Sequence, residues 1–334
     1  MADKLRGIQS VQFINPPVII GVGTIVGPKE AAGPIGDRFH QVIPDYLYGE
    51  DTPEQAETKI LKEAIELALK NGNIAPSAVQ FLLAGDLLNQ IVSSGFAARQ
   101  LGIAFLGIYG ACSTIAEGLS IGSMIIDGGF ADNIVVGASS HYQSAERQYR
   151  YPIELNIQHK ATSQWTVTGA GAAVIASGGQ GPRVTTATIG KVMDMGTKNP
   201  NEMGPAMAPA AADTFIRHLQ DLGRSPEYYD LILTGDLGNV GKQLFLTLVK
   251  KNGITLNKYD DCGVIIFDKG QRSGAGGSGC ACAATVTFGH AFKELEAGNL
   301  KKILLVATGA LLSPLTYQQG ESIPGIAHAV SIET

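Results

Sequence analysis

The chain carries no run of basic residues and no long unbroken apolar segment, and each absence removes a class of function. Lys and Arg number 25 against 30 Asp and Glu, a formal net charge of −5. A polyanion has no basic patch to meet, which argues against nucleic acid as a partner and against polybasic attachment to anionic lipid. Behind Met1-Ala-Asp-Lys-Leu-Arg6 there is no apolar segment of the kind a signal peptide needs. The longest apolar run, Ile303 to Leu315, is interrupted by Thr308, Gly309, Ser313 and Pro314, short of the ~18 residues of a membrane span. A membrane role is therefore expected to be peripheral. Cysteine is scarce, at Cys112, Cys262, Cys280 and Cys282, as in a reducing compartment. Cys280-Ala-Cys282 has no second Cys or His pair at ligand spacing. Two small side chains on a packed helix are expected there, with no metal and no cofactor.

What the chain does have is small apolar residues in quantity and a repeated order. Apolar residues make up 45% and charged residues 16%, enough to bury a large core. The 42 glycines follow no collagen period and point to tight turns and close-packed elements. Phe81-Leu-Leu-Ala-Gly-Asp-Leu-Leu-Asn89 recurs as Leu231-Ile-Leu-Thr-Gly-Asp-Leu-Gly-Asn239, with Asp86 and Asp236 150 residues apart (236 − 86). Helical patterns ending at glycine precede both copies, Thr58 to Gly72 and Ala211 to Gly223. A turn follows each, Gly110-Ala-Cys-Ser113 and Gly276-Gly-Ser-Gly279, opening a helix rich in Gly, Ala, Ser and Cys. These helices lead into strands, Asn133 to Ala138 and Lys302 to Ala307, and the halves close on two more, Gly169 to Ile175 and Gly325 to Ile332. Such internal order gives two like halves, 1–180 and 181–334. Short continuous apolar strands alternating with helices imply mostly parallel sheets covered on both faces. Two such halves, with the small-residue helices between their sheets, make an α/β five-layer αβαβα sandwich.

Duplicated halves with a cysteine opening the first buried helix resemble the thiolase and β-ketoacyl synthase superfamily. The likeness to its synthase III branch runs along nearly the whole chain, with Ala111-Cys112-Ser113 in the place of the nucleophile. Longer strings carry a closer likeness: Ala84-Gly-Asp-Leu-Leu-Asn-Gln90, Gly110-Ala-Cys-Ser-Thr114, Ala145-Glu-Arg-Gln148, Ala206-Met-Ala-Pro-Ala-Ala-Ala-Asp213, Gly276-Gly-Ser-Gly-Cys-Ala-Cys282 and Ala307-Thr-Gly-Ala-Leu-Leu-Ser-Pro314. They are similar to a thiolase-like family of stage V of spore formation. That resemblance implies a part in moving dipicolinic acid (pyridine-2,6-dicarboxylic acid), with calcium, into the developing spore. It also implies a homodimer at the inner spore membrane that binds the ligand for other stage V sporulation membrane proteins.

Acyl transfer on such a fold needs a thiolate, a partner that activates it and an oxyanion site. Cys112 lies where the strand Ile103 to Ile108 turns into a helix, and a helix N-terminus can lower a thiol pKa. A small buried cysteine explains the residue equally well. The resemblance places the first partner, a histidine in the synthases, at Asp236, and the second at Ser273, five residues before Ser278. An anionic aspartate raises the pKa of a nearby thiol, and serine does no acid or base work at neutral pH. A binding protein is therefore expected rather than a condensing enzyme, with Cys112 the catalytic residue if there is one. The alternative is a cysteine-dependent acyltransferase acting on an acyl thioester, and a third reading is a purely structural subunit.

The resemblance gathers Cys112, Asp86, Asn89, Asp236, Asn239 and Ser273 at one pocket. The strand ending at Ala138 delivers Ser139-Ser-His141 to the carboxyl end of the sheet, where α/β folds bind ligands, so His141 joins them, with a satisfied core histidine as its equal alternative. A planar dicarboxylate needs N–H or cationic donors at both ends and an apolar face. His141-Tyr-Gln-Ser-Ala-Glu-Arg-Gln-Tyr-Arg150 supplies an imidazole, two tyrosines and two arginines. Arg147 is the expected anchor, with an ion pair to a neighbouring acid as its alternative. A calcium chelate would instead meet Asp86 or Asp236. His290, within a helix, and His40, His159, His218 and His328, with no motif around them, are expected in packing or surface roles.

Overall fold

The computed structural model describes residues 3–151, 153–155, 157 and 160–334; His159 lies outside them. Five strands of the first half, β1 (Val18–Val26), β2 (Phe81–Gly85), β3 (Phe105–Gly107), β4 (Asn133–Ser140) and β5 (Gly169–Ala176), pair in the order β1-β5-β4-β2-β3. β4, β2 and β3 run parallel, and β5 is antiparallel to both neighbours. In the second half, β6 (Arg183–Thr188), β7 (Leu231–Thr234), β8 (Tyr259–Asp261), β9 (Lys302–Ala310) and β10 (Gly325–Glu333) repeat that order as β6-β10-β9-β7-β8, with the same senses. The two sheets touch edge to edge through one antiparallel pair, Arg183 with Val18.

Helices cover every sheet face. α1 (Pro53–Asn71) and α2 (Val92–Leu101) lie outside the first sheet, α3 (Thr114–Asp127) lies between the sheets, and α4 (Tyr142–Tyr149) follows β4. α5 (Met203–Leu222) and α6 (Gly238–Lys251) form the layer outside the second sheet, and α7 (Cys280–Val286) joins α3 in the middle. Strands buried on both faces explain the unbroken apolar runs. Ile134, Val136 and Ala138 of β4 enter the central core while Val135 faces the outer one. On β9, Ile303, Leu305 and Ala307 face inward and Leu304 and Val306 outward.

The central layer demands small residues. Every residue of α7 is buried, and a Cβ on Gly171 of β5 would stand 2.7 Å from the backbone of Ala284. The expected helix to Gly298 runs instead as α7, a π turn at Thr287–Ala291 and a last turn at Phe292–Glu296. α5 starts at Met203, ahead of the expected Ala211, with Pro209 inside it. Packing outweighs the missing proline N–H: Ala206, Met207, Ala208 and Ala210 bury together in the second outer core, and Gly204 lets α5 touch the backbone of Leu237 and Gly241.

Candidate functional site

After β3 the chain turns into α3 through Gly110, Ala111, Cys112 and Ser113. Ala111 has φ 49°, a left-handed conformation that costs a non-glycine residue. Hydrogen bonds hold it there: its carbonyl accepts from Thr114 Oγ1 at 2.6 Å and from Cys280 Sγ at 3.0 Å. The turn brings Cys112 Sγ to 4.0 Å from Ser278 Oγ of the second half. Ser278 Oγ donates to Asp236 Oδ2 at 2.9 Å, and Gly279 N donates to the same oxygen at 3.0 Å. Thr308 Oγ1 donates to Asp236 Oδ1 at 2.6 Å. Asp236 is fully buried. Burial raises its carboxyl pKa, and the hydrogen bonds act in the opposite direction. Burial, and after it the charge of Asp236, push the Cys112 thiol well above its ordinary range. α3 begins only at Thr114, so Cys112 precedes the helix and desolvation outweighs the helix dipole.

A cavity beside Cys112 takes walls from both halves. Leu87, Met203, Met207, Ala310 and Leu312 make its apolar side, with Tyr109 and Tyr149 next to them. The Tyr149 hydroxyl donates to the Leu87 carbonyl and lies 3.4 Å from that of Tyr109. Glu146 and Arg150 line the cavity as well. Arg150 Nη1 is paired with Glu146 Oε1 and also donates to the Gln164 carbonyl at 3.2 Å. Both side chains of the pair are buried, at 6% and 4% exposure, and Arg150 Nε has no hydrogen-bond partner. The water-accessible volume is about 40 Å³, room for about three water molecules. A neighbouring groove of about 350 Å³ shares Tyr109, Tyr149 and Leu312 with it and extends to Asn89, Gln90 and Ser313.

Of the expected site residues, the structure brings Cys112 and Asp236 together. Asn89 lies in the neighbouring groove. Asp86 does not line the cavity. It fixes the start of α2, accepting from Ser94 N and Oγ at 2.7 Å each and from Leu88 N at 2.8 Å. Asn239 is exposed and bonded to the Ala275 carbonyl. Ser273 closes a turn, its carbonyl accepting from Gly276 N at 3.1 Å, and the serine facing Cys112 is Ser278.

His141 is fully buried and caps α4. Its Nδ1 accepts from Gln143 N at 3.2 Å, and its Nε2 stands 2.7 Å from the Tyr46 carbonyl, which fits a neutral ring donating from Nε2. Burial lowers its pKa. Arg147 is 45% exposed and pairs with Glu54 at the surface. His218 and His40 are held in packing, by Thr188 and Tyr229 and by Thr24 respectively.

Sequence reasoning missed Ser278 and Glu146, and within the stretch His141 to Arg150 it singled out Arg147 rather than Tyr149 and Arg150. A signal for Glu146, Tyr149 and Arg150 was present. Ala145 and Tyr149, four apart, mark the inward face of α4, and Glu146 and Arg150 are the adjacent i,i+4 acid–base pair. Arg147 lies on the other side of that helix.

Residues 7–333 match the family model of stage V sporulation protein AD. The stage V sporulation protein AD of Bacillus subtilis (strain 168) is 46% identical over 331 residues, spanning 99% of this chain and 98% of that protein. Among solved structures, the 3-oxoacyl-[acyl-carrier-protein] synthase III of Aquifex aeolicus VF5 aligns with a TM-score of 0.58 at 16% identity, covering 95% of this chain and 100% of that one. Xanthomonas campestris OleA E117Q bound with cerulenin aligns with a TM-score of 0.62 at 18% identity, covering 97% and 98%. These structural likenesses establish the thiolase-like fold.

Two outcomes follow from the geometry. His141→Ala removes a helix cap and leaves the half-buried Tyr46 carbonyl without its donor, so stability should fall by about 1–3 kcal/mol. Urea denaturation measures this, and an unchanged midpoint would contradict the capping role. The raised Cys112 thiol stays protonated until the pH rises well past the ordinary thiol range. Its alkylation by iodoacetamide at pH 8 should therefore be at least about tenfold slower than that of free cysteine. Peptide mapping of the modified protein reads the rate, and fast labelling of Cys112 at pH 7 would contradict it.

Proposed function

The chain belongs to the stage V sporulation protein AD family, and on that premise we propose that it is a non-catalytic, thiolase-fold protein that binds dipicolinic acid, alone or as its calcium chelate, and supports its uptake into the developing spore. The observation that carries this reading is the cavity at Cys112. Its thiol is held protonated with an acid behind it where a condensing enzyme needs a base. Its walls combine two tyrosines and two methionines with one buried arginine, an apolar face for a ring and a cationic donor for a carboxylate. Tyr109, Tyr149 and Leu312 wall both cavity and groove, and in this reading the ligand joins the two spaces by displacing a tyrosine. The joined volume falls within the ~300–1,000 Å³ of small-molecule sites.

In this reading calcium arrives with the ligand. Asp86 and Asp236 are engaged in hydrogen bonds and do not line the cavity, and among the described residues Glu146 is the acid that does. β3 ends its sheet with a free edge, and its Leu106 is 46% exposed. Pairing with β3 of a second copy covers that edge and forms a homodimer. Among the described residues no helix is long and apolar enough to cross a membrane. The protein then works peripherally at the inner spore membrane, beside other stage V sporulation membrane proteins.

Calorimetry should give saturable dipicolinate binding in the micromolar range, about 8 kcal/mol, and Cys112→Trp, which fills the cavity, should abolish it. Binding that survives Cys112→Trp would place the ligand elsewhere. Acylation of Cys112 by an acyl-CoA, seen as a mass shift, would favour the acyltransferase reading.

A further inference from the structure

We propose that the cavity receives a single carboxylate, on the Nε edge of Arg150, and leaves the ligand's second carboxylate at the mouth, facing the neighbouring groove. This rests on the reading of the cavity as a dipicolinate site. Arg150 is the only basic residue among the described residues that line the cavity. Its Nη1 is committed to Glu146 and to the Gln164 carbonyl, whereas Nε is buried without a partner. A guanidinium presents parallel N–H groups along that edge, matched to the two oxygens of a carboxylate. Glu146 acts as a positioning residue, because its pairing with Nη1 turns the remaining edge toward other acceptors.

Among the described residues the rest of the lining supplies hydroxyls, Tyr109 and Thr166 among them, but no second cation. Ser278 gives its proton to Asp236 and Tyr149 gives its own to the Leu87 carbonyl. Cys112 stands in front of the buried Asp236, and Glu146 is itself an acid. A second carboxylate driven inward would lose its water without gaining a cation, at the cost that burial of an unpaired charge carries. At the mouth, the groove offers Asn89, Gln90 and Ser313 together with solvent.

The test is calorimetry on the whole chain with dipicolinate and with pyridine-2-carboxylate, which keeps the ring and one acid. If the wild-type protein binds no dipicolinate, the reading of the site fails and the inference falls with it. If it binds, pyridine-2-carboxylate should bind within tenfold of dipicolinate, and Arg150→Gln should weaken both by at least tenfold. Replacing Arg150 alone takes from Glu146 the ion pair that Arg150 supplies. The neutral pair Arg150→Gln with Glu146→Gln is therefore measured beside it, with a melting curve for each, and should show the same loss. Arg147→Gln should bind as wild type. Wild-type affinity in a folded Arg150 variant would overturn the anchor. A monocarboxylate more than tenfold weaker than dipicolinate would overturn the single inward carboxylate.

Discussion

The buried carboxylate of Asp236 is the interaction on which the centre of this molecule depends. It stands just beyond β7, takes a hydrogen bond from Thr308 on β9, and takes two more from Ser278 and Gly279 at the start of α7. Three elements of the second half are thereby fixed against the loop that carries Cys112. Burial, and after it the charge of the same acid, raises the pKa of that thiol well above its ordinary range. The arrangement that joins the halves thus disfavours the thiolate that a condensing enzyme would use. Beside it lies a shaped, mostly apolar cavity in which Arg150 is the one basic side chain among the described residues.

The core of the first half buries further acids, which bears on how the chain tolerates buried negative charge. Glu57 is fully buried between Ser139 and Ser144, and burial together with Asp86 raises its pKa. Glu30 is likewise fully buried, its pKa raised to about 7 by desolvation. Acids raised in this way bind protons more tightly in the folded chain than in the unfolded one. Their stabilising protonation is present at low pH and is lost as pH rises through the folded values, near 7 for Glu30. An anionic ligand is tolerated in such a neighbourhood only where a cation is already in place. Arg150 is in place because Glu146 and the Gln164 carbonyl hold it.

Much of the fold was legible because its signals are local and repeated. The copies around Asp86 and Asp236, the glycine-ended helices and the small-residue helices each state one packing requirement, and the sheets obey them. The start of α5 was not legible, since Pro209 argues against helix locally and only burial against the second sheet overrides it. At the site, Cys112 and Asp236 were reached through the family resemblance. His141 and Arg147 were not, because counting cations in a ten-residue stretch does not reveal which side of α4 faces inward. Ser273 was reached by spacing within a short string, and a turn between Ser273 and Gly276 brings Ser278 to the cysteine instead.

The central claim is that the Cys112 cavity holds a ligand without reacting with it. Crystals grown with both dipicolinate and an acyl-CoA test it most directly. The account predicts an unmodified Cys112 Sγ and a planar ring lodged against Tyr149, with one carboxylate on Arg150. Continuous density from Sγ into an acyl group, with no ring in the cavity, would contradict it.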